Sequence, residues 1–257
     1  MIELSGSWSG GLFRGRDGVE LAYRERGQGR PLVLLHGIFS SAKLWIDFGP
    51  GPQLVAHGRR VIAPDLRGHG RSTRSHDPDH YPPDVLADDG LALIEALELD
   101  DYDLGGYSLG GRITVRMLAR GARPARAVVG AQGLYQLTAT GETSSINRRV
   151  LDALINHDDL PPNSAEAATA DWIRRSGGDP VALRHVLDSF VATPHTCLQL
   201  LRTPTLVIVG DQDPRRVTAV DLACTLPAAT FAEVPGDHLT ALAAQEFADV
   251  IDAFTSP

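Results

Sequence analysis

The sequence predicts an α/β fold, a mostly parallel sheet covered on both faces by helices, with one helical insertion. Three observations carry this. Short apolar runs bounded by Gly or Pro, at Leu32–Leu35, Arg60–Ala63 and Thr205–Val209, read as strands buried on both faces. Segments with helical spacing of apolar residues separate such runs. Finally, Gly106-Tyr107-Ser108-Leu109-Gly110 reads Gly-x-Ser-x-Gly between a strand-like and a helix-like segment.

In chain order, Leu12-Phe13-Arg14 and Val19 to Tyr23 flank Asp17-Gly18, a hairpin signal. The buried strands Leu32–Leu35 and Arg60–Ala63 follow. Pro83 to Glu98 places Leu86, Leu93, Ile94 and Leu97 on one helical face. Tyr102-Asp103-Leu104-Gly105 enters the Gly-x-Ser-x-Gly turn, and Ile113, Val115, Met117 and Leu118 leave it on a helix. Ala127-Val128-Val129 is the next strand. About 75 residues separate it from Thr205–Val209, where a crossover helix with its loops needs about 30. The surplus reads as helices. Ile146, Val150, Leu151, Leu154 and Ile155 share a face. Asn163 with Glu166 is a capping pair. Asp179 with Pro180 starts another helix, carrying Leu183, Val186, Leu187 and Phe190. Thr230 to Val234 is a last strand, before a helix whose inward residues include Leu242, Phe247, Val250, Ile251 and Phe254. Domains are therefore expected at 1–135 with 196–257 for the core, and 136–195 for a helical insertion that either caps the core or packs on its side.

Length and composition narrow the classes. The 257 residues suffice for one large α/β domain. Hydrophobic content of 43% and charged content of 22% are ordinary for a globular chain. A net charge of −8 argues against nucleic acid, because no basic excess is present to neutralise phosphates. Cys197 and Cys224 form neither a Cys-x-x-Cys pair nor a metal cluster, so two reduced thiols and a cytoplasmic location are expected. Residues 1–11 lack the pattern of a signal peptide. No run approaches the roughly 20 apolar residues of a membrane helix.

A serine held in a tight strand-to-helix turn is the setting of a nucleophile, and flanking glycines leave room for its strained backbone. Alone the pattern is weak; its context makes it informative. His36-Gly37 ends one apolar run, and Asp65-Leu66-Arg67-Gly68-His69-Gly70-Arg71-Ser72 follows another. Gly210-Asp211-Gln212-Asp213-Pro214 follows a third, with Gly236-Asp237-His238 after it. The set resembles the α/β-hydrolase family over nearly the whole chain, in that family's order Ser, then Asp, then His.

The resemblance implies an eight-stranded, mostly parallel sheet with helices on both faces, and a helical cap over the active site. It implies Ser108 as nucleophile, His238 as base just before the last helix, and Asp213 as the acid, with Asp211 bracing the same loop. Asp237 stands where many members have Gly. The backbone N–H groups of Ile38 and Leu109 form the implied oxyanion hole. Phe39, Tyr107 and Trp172 are the candidate substrate-contact residues; Trp45 and Phe190 could line the pocket too, and Tyr107, Trp172, Trp45 and Phe190 are each equally explained by packing. Arg67 and Arg71 tie loops together in this motif, and His36 and His69 are structural.

Those residues imply a serine hydrolase of a small-molecule carboxylic ester or lactone, with no cofactor, no metal, no nucleic acid and no membrane partner. An alternative uses the same triad to cleave a carbon–carbon bond in a ring-fission diketone. A third reading, from another class, is a non-catalytic ligand-binding protein of the same fold.

Overall fold

The computed structural model describes residues 7–139 and 145–256; residues 1–6 of the N-terminal reading and 140–144 of the insertion lie outside the described residues. Eight strands form one sheet: β1 (Ser9–Arg14), β2 (Glu20–Arg26), β3 (Pro31–Leu35), β4 (Arg60–Pro64), β5 (Asp103–Tyr107), β6 (Ala127–Gly130), β7 (Thr205–Gly210) and β8 (Ala229–Val234). Their order is β1-β2-β4-β3-β5-β6-β7-β8. β1 and β2 form the hairpin, and β2 pairs antiparallel with β4. From β4 to β8 every pairing is parallel.

Alternation along the central strands sorts their side chains between two layers. Leu32 and Leu34 of β3, Val61 and Ala63 of β4, and Leu206 and Ile208 of β7 pack toward α1 (Gly51–Ala56) and α10 (Gln245–Thr255). Val33, Leu35 and Ile62 face the opposite way, toward α2 (Val85–Ala96) and α3 (Leu109–Ala119). Val207 and Val209 share that second side with α9 (Arg216–Thr225). Both faces are covered, which is why these strands are continuous apolar runs. α1 and α9 are short elements that the periodicity did not single out.

Between β6 and β7 lie α4 (Leu134–Thr138), which begins two residues before the expected insertion, α5 (Ser145–Asn156), α6 (Ala165–Ser176), α7 (Pro180–Asp188) and α8 (His195–Leu198), which straddles its expected end. Val150, Leu151, Ala170, Ile173, Leu183 and Leu187 make a core of their own, against which Ile38, Phe39 and Phe190 pack. Leu137 and Leu198 pack instead with the sheet layer at α9. Asp179 caps α7 through Val181 and Ala182 with Pro180 at its first position. The cap of α6 differs from expectation. Asn163 is left-handed (φ 59°), while Ser164 is extended and its hydroxyl accepts from the Ala167 N–H. Glu166 turns outward to Arg149 instead of back to the cap. No described helix is long and apolar enough to cross a membrane.

Candidate active site

The carboxyl ends of β3, β5, β6 and β7 meet on one rim of the parallel sheet, where open α/β sheets place their ligands. Ser108 follows β5 directly, with φ 55° and ψ −112°, a conformation that costs a non-glycine residue about 1–3 kcal/mol. Two glycines permit it by letting backbones touch. A Cβ on Gly106 would lie 2.2 Å from the Gly110 carbonyl carbon, and one on Gly110 would lie 2.0 Å from the Leu35 oxygen. The Ser108 N–H donates to the Gly130 carbonyl (2.9 Å), and the Gln132 side-chain amide donates to the Ser108 carbonyl. β5 and β6 together thus hold the turn from both ends.

Ser108, His238 and Asp213 come together from positions 130 and 25 residues apart. His238 Nε2 lies 3.1 Å from Ser108 Oγ, and His238 Nδ1 lies 2.7 Å from Asp213 Oδ2. The Asp213 side chain is fully buried, whereas that of His238 is 27% exposed. Burial pushes the Asp213 carboxyl up, but its hydrogen bond to His238, and that ring's charge, outweigh this and hold it below the usual carboxylate range. Its second oxygen accepts from the Arg215 N–H (2.9 Å), so both oxygens are committed. Asp211 is exposed and accepts from the Gly236 N–H, joining the two loops without reaching His238. Asp237 likewise folds its own turn, accepting from Leu239 and Thr240.

The Ile38 and Leu109 amides donate to no acceptor among the described residues, and both flank the serine. Leu109 opens α3, where a helix leaves its first N–H groups unbonded. Ile38 follows Gly37, on which a Cβ would lie 3.6 Å from Ser108 Cβ. Two buried histidines hold that loop. His36 Nε2 accepts from the Leu66 N–H (3.0 Å), so Nδ1 donates to the Gly37 carbonyl (2.8 Å). Burial, with His69 beside it, holds His36 neutral, well below the usual imidazole range. His69 Nε2 lies 2.5 Å from the Ile38 carbonyl. Arg67 is a loop tie, bonded to Asp17, Asp89 and the His80 carbonyl. The Arg71 N–H donates to Asp65.

The candidate substrate contacts divide. Tyr107 does not line the cleft: its ring is buried against Phe247 and His238, and its hydroxyl donates to the His238 carbonyl (3.0 Å). It sits there because strand alternation turns the residue before the serine beneath the site, where it braces the His238 loop. Trp45 is buried in the core layer. Trp172 on α6 is half exposed and donates through Nε1 to the Phe39 carbonyl (2.9 Å), joining the insertion to the loop after β3. Phe190 stacks under the Arg112 guanidinium, 5.1 Å from the ring centre.

One residue at the centre escaped the sequence reading. Arg215 sends a single nitrogen, Nη1, to three atoms: Ser108 Oγ (3.2 Å), His238 Nε2 (3.3 Å) and the Ala131 carbonyl (2.9 Å). The only hint was its place two residues beyond Asp213 in Asp213-Pro214-Arg215-Arg216. Register alone cannot say which of the two arginines turns inward; Arg216 turns out to Glu233.

Known proteins share this arrangement of elements. The sequence pattern of the alpha/beta hydrolase fold family matches residues 30–142. A bromoperoxidase of Bacillus anthracis superposes with a TM-score of 0.74 at 26% identity, covering 96% of this chain and 99% of that one. The chain has the α/β-hydrolase fold, and under half of its length matches that family's sequence pattern. A thermophilic esterase of Thermogutta terrifontis shares the fold with a TM-score of 0.74 at 24% identity, covering 98% of this chain and 100% of that one. Among sequence relatives, a non-heme chloroperoxidase of Kitasatospora aureofaciens is 42% identical over 105 residues, 41% of this chain and 37% of that protein. A 2-hydroxymuconate semialdehyde hydrolase of a Pseudomonas species is 34% identical over 112 residues, 44% of this chain and 39% of that protein. The chain thus spans about two-fifths of the length of these two relatives.

Proposed function

We propose that the chain is a serine hydrolase that cleaves a small carboxylic ester or lactone through an acyl-enzyme on Ser108. The observation that carries this is the unbroken relay from Asp213 through His238 to the Ser108 hydroxyl, beside two undonated amides. In this reading His238 takes the serine proton as Oγ attacks the carbonyl carbon. The Ile38 and Leu109 amides hold the resulting oxyanion. The proton passes from His238 to the leaving alkoxide as the ester C–O bond breaks. A water then gives its proton to His238 and its oxygen to the acyl carbon, releasing the acid and restoring the serine. Asp213 holds the ring and offsets its charge at each transfer. Residues 136–195 act as the cap, with Phe39 and Trp172 walling the acyl pocket.

A second reading is hydrolysis of a carbon–carbon bond, favoured by two relatives. One is the hydrolase above; the other is a 2-hydroxy-6-oxo-2,4-heptadienoate hydrolase of Pseudomonas putida, 36% identical over 125 residues. The test is intact-mass labelling with a small fluorophosphonate, followed by an ester and lactone panel and a coloured ring-fission diketone. Stoichiometric modification at Ser108, absent in Ser108→Ala, is expected. Ser108→Ala should also lower ester turnover at least about 10⁴-fold without loss of fold. A folded protein that takes no label and turns over none of the panel would sink the reading in favour of a binding protein.

A further inference from the structure

Arg215 has no role in the ester mechanism above, yet its guanidinium touches both groups that must exchange a proton. His238 Nε2 has one lone pair, and the Ser108 hydroxyl and Arg215 Nη1 both point at it. A cation at that distance also opposes the imidazolium that acylation creates. Among the described residues Asp213 is the one carboxylate that interacts with Arg215, and its oxygens are already held by His238 and the Arg215 backbone.

A second guanidinium sharpens the imbalance. Arg112, four residues after the nucleophile, is buried, and it is anchored on the carbonyls of Val191, Gln136 and Ala139 and on the Phe190 ring. No carboxylate pairs with it among the described residues. Burial and the neighbouring Arg215 and Arg116 push it down to about 10. When His238 takes the serine proton, the imidazolium joins Arg215 and Arg112, whereas the buried anions beside them are Asp213 and the oxyanion and Asp237 acts only from the exposed turn next to His238. Buried charge of one sign without its counter-charge is costly, which favours an anion supplied by the substrate. Arg215 donates to protein only through Nη1; Nη2 and Nε make no protein hydrogen bond among the described residues. Ser108 Oγ lies 3.2 Å from Nη1, so an acyl group carried on the serine stands beside this guanidinium.

We infer that Arg215 is a specificity residue that binds a carboxylate on the acyl part of the substrate, one to three carbons from the scissile carbonyl. Its engagement draws the guanidinium off His238 Nε2 and leaves that lone pair to the serine proton. The substrate class is a half-ester, or a lactone bearing a carboxylate. This inference rests on the hydrolase reading for turnover, and on the site alone for binding.

Two measurements test it. The first compares kcat/KM for monomethyl succinate with methyl 4-methylpentanoate, and for monomethyl malonate with methyl 3-methylbutanoate. These pairs match in shape and differ in charge. The wild-type protein should prefer the charged partner by at least about tenfold, the range of a hydrogen bond to a charged group. Arg215→Met should collapse that ratio, and Arg215→Lys should retain part of it. The second is calorimetric binding of succinate and malonate to Ser108→Ala, expected to weaken at least about tenfold when Arg215→Met is added. Equal rates on both partners with no binding of either dianion would overturn the inference and leave the hydrolase reading standing. Binding that depends on Arg215, with no ester turned over, would support the anion site and overturn the hydrolase reading. If Arg215→Met does not fold, the wild-type substrate ratio and the Ser108→Ala titration decide alone.

Discussion

Exchanging the acid for its amide, Asp213→Asn, tests the proposed relay most directly, because the structure dictates how the new side chain must sit. The Arg215 N–H donates to Asp213 Oδ1 at 2.9 Å, so the oxygen of an asparagine is held on that side. Its NH₂ group then takes the place of Oδ2, 2.7 Å from His238 Nδ1. Two donors cannot face each other, so the imidazole must offer its Nδ1 lone pair and carry its proton on Nε2. That tautomer cannot accept the serine proton. The charge that would offset the imidazolium is gone as well. The loss in kcat/KM should be about 10⁴-fold, with little change in KM. Asp211→Asn is the matched control: an amide oxygen still accepts from the Gly236 N–H, and activity should stay within about twofold. Both variants are to be assayed on a turned-over ester and by the rate of fluorophosphonate labelling, with melting temperature as the check on fold. An Asp213→Asn variant within tenfold of wild type, or a larger loss in Asp211→Asn, would refute the relay.

Two further outcomes concern the scaffold. Gly110→Ala places a methyl 2.0 Å from the Leu35 oxygen, a backbone atom of a central strand that cannot swing aside. At about 1–3 kcal/mol or more for overpacking, and about 2–4 °C per kcal/mol for a chain of this size, the melting temperature should fall by several degrees. An unchanged melting temperature would show that the elbow has slack. Asp84 carries a pH signature. Burial raises its carboxyl, but the hydrogen bonds and charges of Arg116 and Arg120 win and leave it lowered. Because its folded value lies below its unfolded value, the unfolded chain takes up the proton first. The stabilisation is therefore complete above about pH 4 and is lost as pH falls through the folded value. Asp84→Asn should be less stable at neutral pH and should flatten that acid limb in chemical denaturation; an unchanged slope would exclude this pair as its source.

Much of this molecule is legible in its order of residues. Apolar runs bounded by Gly and Pro give the buried strands, since strands covered on both faces need no alternation. Gly106 and Gly110 read as an elbow because only glycine lets backbones approach as β3 and α3 do here. Asp179 with Pro180 announces a helix start because its chemistry is local. Three-dimensional packing decided the remainder. The α6 cap shifted by one residue because backbone conformation at Asn163, not residue type, chooses the acceptor. Tyr107 turned beneath the site because strand alternation and the Phe247 ring, 140 positions later, set its direction. Arg215 and Arg216 have the same chemistry in sequence, yet one reaches the Ser108 hydroxyl and the other the surface. Local pattern determines which backbone conformations are available. Which of two like charges stands beside the serine depends on how β7, α9 and the His238 loop close on one another, and no short-range signal carries that.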